Sequence, residues 1–211
     1  MSWNWLVRLL IIVALCVYLL VSRTMLRNRD KYHGVLENGP LNIFFVAIYN
    51  VLCYLAVGIR SDPNVIAKPE IFEDIFVTIW YVVLGQILVV ASVCFLVYTV
   101  IKRHAIGGQD TGRLLTSGLY SFSRHPVYFG IILIALGIAI VRTNFDGMLV
   151  FPAVFLINFI QAKFEETYDV GVRFKEEYEH YMTQTPMFCP IWLWALLGGL
   201  LLMPLVIAIA S

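Results

Sequence analysis

Long apolar segments occupy most of this chain and limit what it can fold into. A helix rises 1.5 Å per residue, so crossing a bilayer takes about 20 consecutive apolar residues. A segment inside lipid must also satisfy its own backbone hydrogen bonds, which leaves only helices or a closed barrel. Four segments approach the length of a span and two are shorter. In chain order they are Trp3–Val21, Leu41–Ile59, Ile75–Ile101, Val127–Val141, Met148–Ala162 and Ile191–Ala210.

The composition favours a membrane protein. Of the 211 residues, 60% are hydrophobic, whereas soluble domains are about 45–50% apolar. We predict an all-α fold, a polytopic membrane helical bundle of about five to six transmembrane helices. The two shorter segments are expected to form a tight helical hairpin. We interpret Trp3–Val21 as a retained span, because no small-x-small cleavage site is evident and basic residues follow it.

The basic residues lie mostly in alternate polar segments, which predicts the orientation of the bundle. Eleven of the 15 Lys and Arg residues follow the first, third and fifth apolar segments. Because cytoplasmic loops are enriched in Lys and Arg, these loops are predicted to face the cytoplasm, in a multi-pass protein with both termini outside. The eleven are Arg23, Arg27, Arg29, Lys31, Lys102, Arg103, Arg113, Arg124, Lys163, Arg173 and Lys175.

The remaining composition argues against several kinds of partner. The net charge of +1 gives no reason to expect nucleic acid. The apolar segments hold almost no ionisable residues, which argues against an ion or proton pathway. The cysteines show no C-x-x-C or Cys/His metal-ligand spacing, so we predict small apolar fillers and no metal site. They are Cys16, Cys53, Cys94 and Cys189.

The stretch SFSRHPVYFG places polar groups where an apolar helix begins. Proline is favoured at the first position of a helix, so Pro126 is predicted to start a helix with His125 at its cap. Tyr128 then projects from the first turn. The alternative is an interfacial belt, in which Arg124 and His125 contact headgroups and Tyr128 is an aromatic anchor.

Glycines on either side of this helix start have separate predicted roles. Gly118 ends the sequence Thr116-Ser117-Gly118, which is typical of a turn. Gly130 and Gly137 are seven residues apart and therefore share a helix face. Small residues on such a face let a neighbouring helix or a ligand approach closely.

A polar stripe leads out of the fifth apolar segment. Asn158, Gln161 and Glu165 are spaced three and four residues apart, so they lie on one side of a helix. Polar groups at that depth usually face an interior cavity or another helix. The stripe therefore indicates a site that ends at Glu165-Glu166. The alternative is interhelical hydrogen bonding by Asn158 and Gln161, with the glutamates solvated.

An amphipathic helix follows the stripe. Its apolar residues recur at helical spacing, with Glu side chains on the other side. Such a helix lies on the membrane or caps the bundle; the alternative is a plain surface helix. The apolar positions are Phe174, Tyr178, Tyr181 and Met182.

The order of these elements resembles the integral-membrane methyltransferases, which include isoprenylcysteine carboxyl methyltransferases and phospholipid methyltransferases. The stretch TSGLYSFSRHPVYFG is similar to their T-S-G-x-Y turn and R-H-P-x-Y-x-G signature. A Glu cluster, a Y-x-x-Y pair and a proline–aromatic–proline segment follow in that family. Here they are Glu165-Glu166, Tyr178/Tyr181 and PMFCP, Pro186 to Pro190. The resemblance covers roughly the second half of the chain, and the first half is similar only in hydropathy.

This resemblance implies S-adenosylmethionine as the cofactor and a lipophilic acceptor that enters from the bilayer. It places a cofactor pocket on the cytoplasmic face, between the turn, the R-H-P helix start and the Glu pair. It leaves Glu165 and Glu166 as alternatives, because their distance to Phe174 does not fit the family's spacing. No catalytic residue is assigned, since the sulfonium is already activated and the protein mainly aligns the acceptor. By position, the cofactor-binding residues are Arg113, Leu114, Leu115, Tyr120, His125, Pro126, Val127, Tyr128, Glu165 and Glu166.

The resemblance also divides the chain. Residues 1–101 form an N-terminal three-span region, 102–190 a methyltransferase-like core and 191–211 a C-terminal span. Gln161 is assigned a substrate-binding role, because isoprenylcysteine enzymes commonly have an Arg at this position that faces the substrate carboxylate. A neutral amide does not neutralise a carboxylate as Arg does. The acceptor is therefore left open between a prenylcysteine carboxylate, a phospholipid amine and another small membrane-borne group.

Two other functions are alternatives. NADPH-dependent sterol-type membrane reductases have a similar R-H-P-N-Y-x-G stretch, but Val127 stands where they have Asn. A non-enzymatic membrane scaffold or transporter would not need a polar stripe that ends at a carboxylate pair.

Overall fold

The computed structural model describes residues 4–36, 39–58, 75–105, 113–142 and 145–210. Within these ranges the chain is helical and contains no strand, which confirms the predicted all-α class. Each of the six apolar segments forms a helix; the first and last residues predicted for two of them, Trp3 and Ile59, lie outside the described ranges. The helices are α1 (Asn4–Arg27), α2 (Arg29–Leu36), α3 (Gly39–Gly58), α4 (Ile75–Ala105), α5 (Leu119–Phe122), α6 (Pro126–Arg142), α7 (Phe145–Glu165), α8 (Gly171–Gln184) and α9 (Ile191–Ala210).

Two helices in the described ranges are long and apolar enough to cross a membrane. They are the stretches Leu6–Arg27 of α1 and Ile79–Lys102 of α4. Their side chains are mostly not covered by protein: Leu20 and Val90 are 61% and 63% exposed. Exposing so much contiguous apolar surface is unfavourable in water, whereas it is compatible with lipid. The helices Pro126–Arg142 and Ile191–Leu200 are apolar but shorter.

The predicted hairpin is present. α6 ends at Arg142, α7 begins at Phe145, and the two helices pack against each other. The other side of α6 packs against α4, where a Cβ added to Gly137 would lie 3.0 Å from the Gly85 carbonyl oxygen. A Cβ on Gly130 would lie 3.2 Å from the Phe95 ring. The shared glycine face of α6 therefore lets α4 approach closely, as predicted.

Asn158 joins α7 to α3. Its side chain is fully buried. It accepts a hydrogen bond from the Tyr49 hydroxyl at 2.9 Å and donates one to Asn50 Oδ1 at 2.8 Å. The Tyr49 ring also packs against Tyr18 of α1, with centroids 4.7 Å apart. For Asn158, the interhelical alternative is therefore correct.

Replacing Asn158 with Ala is expected to lower the free energy of unfolding by about 2 kcal/mol, because Tyr49 and Asn50 lose a buried partner. Unfolding by SDS in mixed micelles, followed by far-UV circular dichroism, measures the change. The double variant Asn158→Ala/Tyr49→Phe should lose less stability than the two single variants lose together, because both substitutions remove the same hydrogen bond. Strictly additive losses would contradict a shared hydrogen bond.

Candidate functional site

The start of α6 is fixed by backbone hydrogen bonds. The carbonyl of His125 accepts the first helical bond, from Phe129 N–H at 3.0 Å, so His125 caps a helix that begins at Pro126, as predicted. The N–H groups of Arg124 and His125 donate to the carbonyls of Pro186 and Met187, each at 3.0 Å. The closing proline–aromatic–proline segment thus holds the helix start through its backbone.

Glu166 is the centre of a charged cluster behind this helix start. Its side chain is 5% exposed and pairs with Arg124 Nη1 at 2.9 Å and with Lys163 Nζ at 3.0 Å. The His125 Nε2 atom lies 3.3 Å from the same carboxylate. Two basic side chains and an imidazole therefore converge on one buried carboxylate.

The surroundings of Glu166 favour its ionised form. Burial alone would raise the pKa of this carboxyl group. The hydrogen bond and charge of His125, together with Lys163 and Arg124, outweigh burial and lower the pKa to about 2. The carboxyl group is therefore charged at neutral pH, and its charge is paired with basic side chains of the protein.

Glu165 has a different environment from Glu166. Its side chain is 32% exposed. It accepts a hydrogen bond from the Tyr128 hydroxyl, and its other oxygen lies 3.6 Å from His125 Nδ1. The rings of His125 and Tyr128 are nearly parallel, at 17°, with centroids 5.7 Å apart. An accessible carboxylate thus lies beside two flat rings at a helix start.

A π-helical turn separates the two carboxylates from α8. It covers Glu166–Val170 and closes with Gly171 N–H donating to the Glu166 carbonyl. A π-turn inserts one residue into a helical repeat and often occurs at functional sites. This turn lies between the Glu pair and Phe174.

A second cluster lies on the other side of the π-turn. Asp169 is buried, pairs with Arg29 of α2, and lies 2.8 Å from Arg173 Nε. The Tyr168 hydroxyl accepts a hydrogen bond from Arg23 Nε of α1 at 3.1 Å. The N-terminal helices are therefore joined to the segment that carries Glu165 and Glu166.

Gln161 contacts α1. Its Nε2 atom lies 2.8 Å from the Ser22 hydroxyl oxygen, and its Oε1 atom lies 3.1 Å from the same oxygen. Its side chain is buried and makes an interhelical contact like that of Asn158. One turn further on, Glu165 is half-buried and faces the α6 start.

The turn before α5 has the predicted form. Gly118 adopts a positive φ of 64°, and Ser121 N–H donates to its carbonyl at 3.1 Å. The Tyr120 carbonyl accepts a hydrogen bond from the Tyr181 hydroxyl. Of the predicted cofactor-binding residues before α6, Arg113 is exposed, and the half-buried ones are Leu114, Leu115 and Tyr120.

α8 caps the bundle through its tyrosines. Tyr178 and Tyr181 are buried, whereas Met182 is 38% exposed. The Tyr178 hydroxyl lies beside Glu166 and Arg124. Arg124 Nε is buried and makes no hydrogen bond within the described part of the chain. Burial and the negative charge of Glu166 raise the pKa of Tyr178, so its hydroxyl keeps its proton. A buried donor such as Arg124 Nε is costly to leave without a partner.

Comparisons with known proteins find similarity in this part of the chain. Residues 74–172 match the family model of the phospholipid methyltransferases. The predicted resemblance to the membrane methyltransferases is confirmed. A segment of 79 residues is 37% identical to the protein-S-isoprenylcysteine O-methyltransferase of Schizosaccharomyces pombe. That segment is 37% of this chain and 33% of the yeast protein, so the chain spans about a third of the relative it matches. No solved structure matches the chain.

The methyltransferase match contains the whole cluster at the helix start but not α1 to α3. His125, Tyr128, Glu165 and Glu166 were predicted from the resemblance, and the structure brings all four side chains together. Together with the apolar helices, the match supports a membrane protein.

Sequence reasoning did not identify the contacts that α1 and α2 make with this methyltransferase-like segment. Arg23 and Arg29 were interpreted only as markers of orientation. Asp169 and Arg173 are four residues apart, and that spacing alone predicts a helical ion pair. No local signal joins Arg29 to Asp169, because 140 residues separate them.

Proposed function

We propose that this chain is an S-adenosylmethionine-dependent methyltransferase that methylates a lipophilic acceptor in the membrane. The observation that carries the proposal is the cluster of His125, Tyr128 and Glu165 at the start of α6. All three lie within the segment that matches the phospholipid methyltransferases. The relative from yeast is named for methyl transfer to isoprenylcysteine, which supports the same reaction class.

The residues at the helix start suit the chemistry of this cofactor. The accessible Glu165 carboxylate can accept hydrogen bonds from an ammonium group or from ribose hydroxyls. Arg124 Nε, a buried donor with no hydrogen bond in the described part of the chain, suits a carboxylate. The faces of His125 and Tyr128 suit flat or apolar parts of the molecule. The remaining proposed cofactor-lining residues are Arg113, Leu114, Leu115, Tyr120, Pro126, Val127 and Glu166.

The two glutamates have separate proposed roles. Glu166 is paired with basic residues of the protein, so it holds Arg124 and His125 in place. Glu165 is partly exposed, and it is the carboxylate that contacts the cofactor. We therefore assign the position left open by the sequence to Glu165.

The chain's own residues mainly align the acceptor and exclude water. When bound, S-adenosylmethionine supplies a methyl group already activated on a sulfonium. An acceptor aligned by these residues would form the new bond with its lone pair, and the electrons of the broken carbon–sulfur bond would stay on sulfur. A carboxylate acceptor needs no base, whereas a protonated amine must first lose a proton, and Glu165 is the proposed base for that step.

The proposed arrangement is multi-pass, with the loops around α5 and α8 on the cytoplasmic side. The cofactor then enters from the cytoplasm and the acceptor from the bilayer. Residues 102–190 form the catalytic core, between the N-terminal spans of 1–101 and the C-terminal span of 191–211. The core needs no metal in this mechanism.

Replacing Glu165 with Gln is expected to weaken cofactor binding about tenfold to 100-fold, because the charged acceptor of its hydrogen bonds is lost. Equilibrium binding of labelled S-adenosylmethionine to the protein in micelles measures this. Glu176→Gln, an exposed position of α8, is the matched control and should bind normally.

Label transfer to a lipid extract then tests the reaction. Labelled methyl groups should appear in a membrane lipid or lipidated product. If the wild type neither binds S-adenosylmethionine nor transfers label, the proposal is wrong. Thermal stabilisation by NADPH instead would favour the reductase.

A further inference from the structure

The π-turn is held at both ends by other helices. Glu165, the last residue of α7 before the turn, accepts a hydrogen bond from the Tyr128 hydroxyl of α6. Asp169, near the end of the turn, forms an ion pair with Arg29 of α2. The turn therefore connects the start of α6, where the candidate site lies, to a helix from the N-terminal part of the chain.

The pair between Arg29 and Asp169 is buried, with side chains that are 14% and 5% exposed. A buried pair gains little net stability, because its desolvation costs about as much as its attraction returns. The best-attested use of such a pair is to fix one register between the segments that carry it. Arg173 also lies 2.8 Å from Asp169, but it is four residues further along the same helical stretch. Among these two cations, Arg29 is the one that joins the turn to another helix.

The π-turn has a regular α-helix as its competing arrangement. Its hydrogen bond spans five residues, from Gly171 N–H to the Glu166 carbonyl, whereas an α-helical bond spans four. A shift to the α register by one residue turns the residues that follow by about 100° relative to α7. An ion pair to a separate helix therefore distinguishes the two registers.

The junction between α1 and α2 is also fixed by hydrogen bonds. Asn28 lies between the two helices, and its N–H and its side-chain amide both donate to the Thr24 carbonyl, at 3.1 Å and 2.8 Å. Earlier on α1, Arg23 Nε donates to the Tyr168 hydroxyl at 3.1 Å. The two N-terminal helices thus reach two adjacent residues of the π-turn.

We propose that Arg29 is a positioning residue: through Asp169 it holds the π-turn in the register that presents Glu165 to the cofactor. This inference rests on the proposed cofactor binding and deepens it, because it gives α2 a part in building the site. Arg29 acts through Asp169 and needs no contact with the cofactor. α2 lies outside residues 74–172, the segment that matches the phospholipid methyltransferases, so a helix that precedes this segment completes the site.

Cofactor binding by the full-length protein in micelles is the first test. Arg29→Gln should raise the Kd of S-adenosylmethionine about five- to 30-fold, within the range for residues that affect a site without touching its ligand. Asp169→Asn should also raise the Kd, and adding Arg29→Gln to it should raise the Kd no further, because both remove one ion pair. Arg29→Lys should fall between the wild type and Arg29→Gln, because it keeps the charge but not the planar fork.

Three matched variants separate positioning from general effects. Arg173→Gln removes the other cation beside Asp169 but no contact to a second helix, so it should raise the Kd less than Arg29→Gln does. Asn158→Ala lowers stability through its contacts with α3 and should leave the Kd of the folded protein unchanged. Arg27→Gln removes an exposed charge two residues before Arg29 and should also leave it unchanged. If Asn158→Ala raises the Kd as much as Arg29→Gln does, lost stability is the cause and the positioning role is wrong.

The contact between Tyr128 and Glu165 is the second test, and it needs no cofactor. A double-mutant cycle of Tyr128→Phe and Glu165→Gln, followed by unfolding in SDS, measures the coupling between the two side chains. In the Arg29→Gln background this coupling should fall by about half or more, because Glu165 is no longer held against Tyr128. An unchanged coupling, or an unchanged Kd in a protein that binds the cofactor, would overturn the role of Arg29. If the wild type binds no S-adenosylmethionine while Arg29→Gln still lowers the coupling, Arg29 positions Glu165 and the proposed reaction is overturned instead.

Discussion

Replacing Glu166 with Gln is expected to lower the free energy of unfolding by about 3–5 kcal/mol, which is the range for breaking a buried ion pair by removing one partner. The loss should come mainly from Arg124, whose side chain is 10% exposed and would be left as an uncompensated buried charge. Lys163 is 49% exposed, so solvent screens its pair and it adds little. Unfolding by SDS in mixed micelles measures the difference from the wild type.

The matched control for this substitution is Glu179→Gln, on the exposed side of α8. It removes one carboxylate from the same region and should change stability by less than about 0.5 kcal/mol. If both variants lose the same stability, the Glu166 cluster does not stabilise the fold.

The wild type should also lose stability in acid through Glu166. Its pKa is about 2 in the folded protein, below the ordinary value of 4.5. The ionised carboxylate therefore stabilises the fold above pH 4.5, and this contribution is lost as pH falls from 4.5 toward 2. Between pH 5 and 3 the wild type should lose more stability than Glu166→Gln. Parallel pH profiles would show that other groups cause the acid loss.

The helices could be predicted from the sequence because hydropathy is a local property. Each apolar segment became a helix, and Pro126 started α6 because its fixed φ and missing N–H suit that position. Gly137 was correctly placed against a neighbouring helix, but only the structure shows that Gly85 of α4 lies opposite. A small residue predicts a close approach without naming the partner.

Contacts between distant segments could not be predicted in the same way. Asn158, Gln161 and Glu165 form one stripe in the sequence, yet the first two bond to α3 and α1 and only Glu165 reaches the α6 start. Periodicity gives the side of a helix, whereas the function of each residue depends on what packs there. The contacts of Arg23 with Tyr168 and of Arg29 with Asp169 depend on such packing and carry no local signal.

The π-turn is the feature on which the site's geometry depends most closely. Glu165 and Glu166 are adjacent, yet one is partly exposed and the other is buried among cations. The turn that begins at Glu166 changes the helical register between them and α8. A change that opens this turn should therefore disturb both carboxylates together.

Replacing Gly171 with Ala is expected to lower methyl transfer about 100-fold, the cost of displacing aligned groups by roughly 1 Å. A Cβ at Gly171 would lie 2.4 Å from the Glu166 carbonyl oxygen, a distance that real Cβ atoms essentially never show. The backbone of Glu166 would have to move, and with it the contacts to Arg124 and His125. Measuring kcat/KM and S-adenosylmethionine binding for the purified variant tests this.

Helix propensity alone predicts that Gly171→Ala stabilises the protein, since Ala is favoured over Gly in a helix by about 1 kcal/mol. Gly198→Ala in α9 is the control, because a Cβ there would meet no atom within 4 Å. The control should keep full activity and equal or greater stability. If Gly171→Ala behaves like Gly198→Ala, the π-turn tolerates a Cβ and does not fix the carboxylates. If it loses activity while the control keeps it, the close approach at Gly171 is what holds Glu165 and Glu166 in their two separate environments.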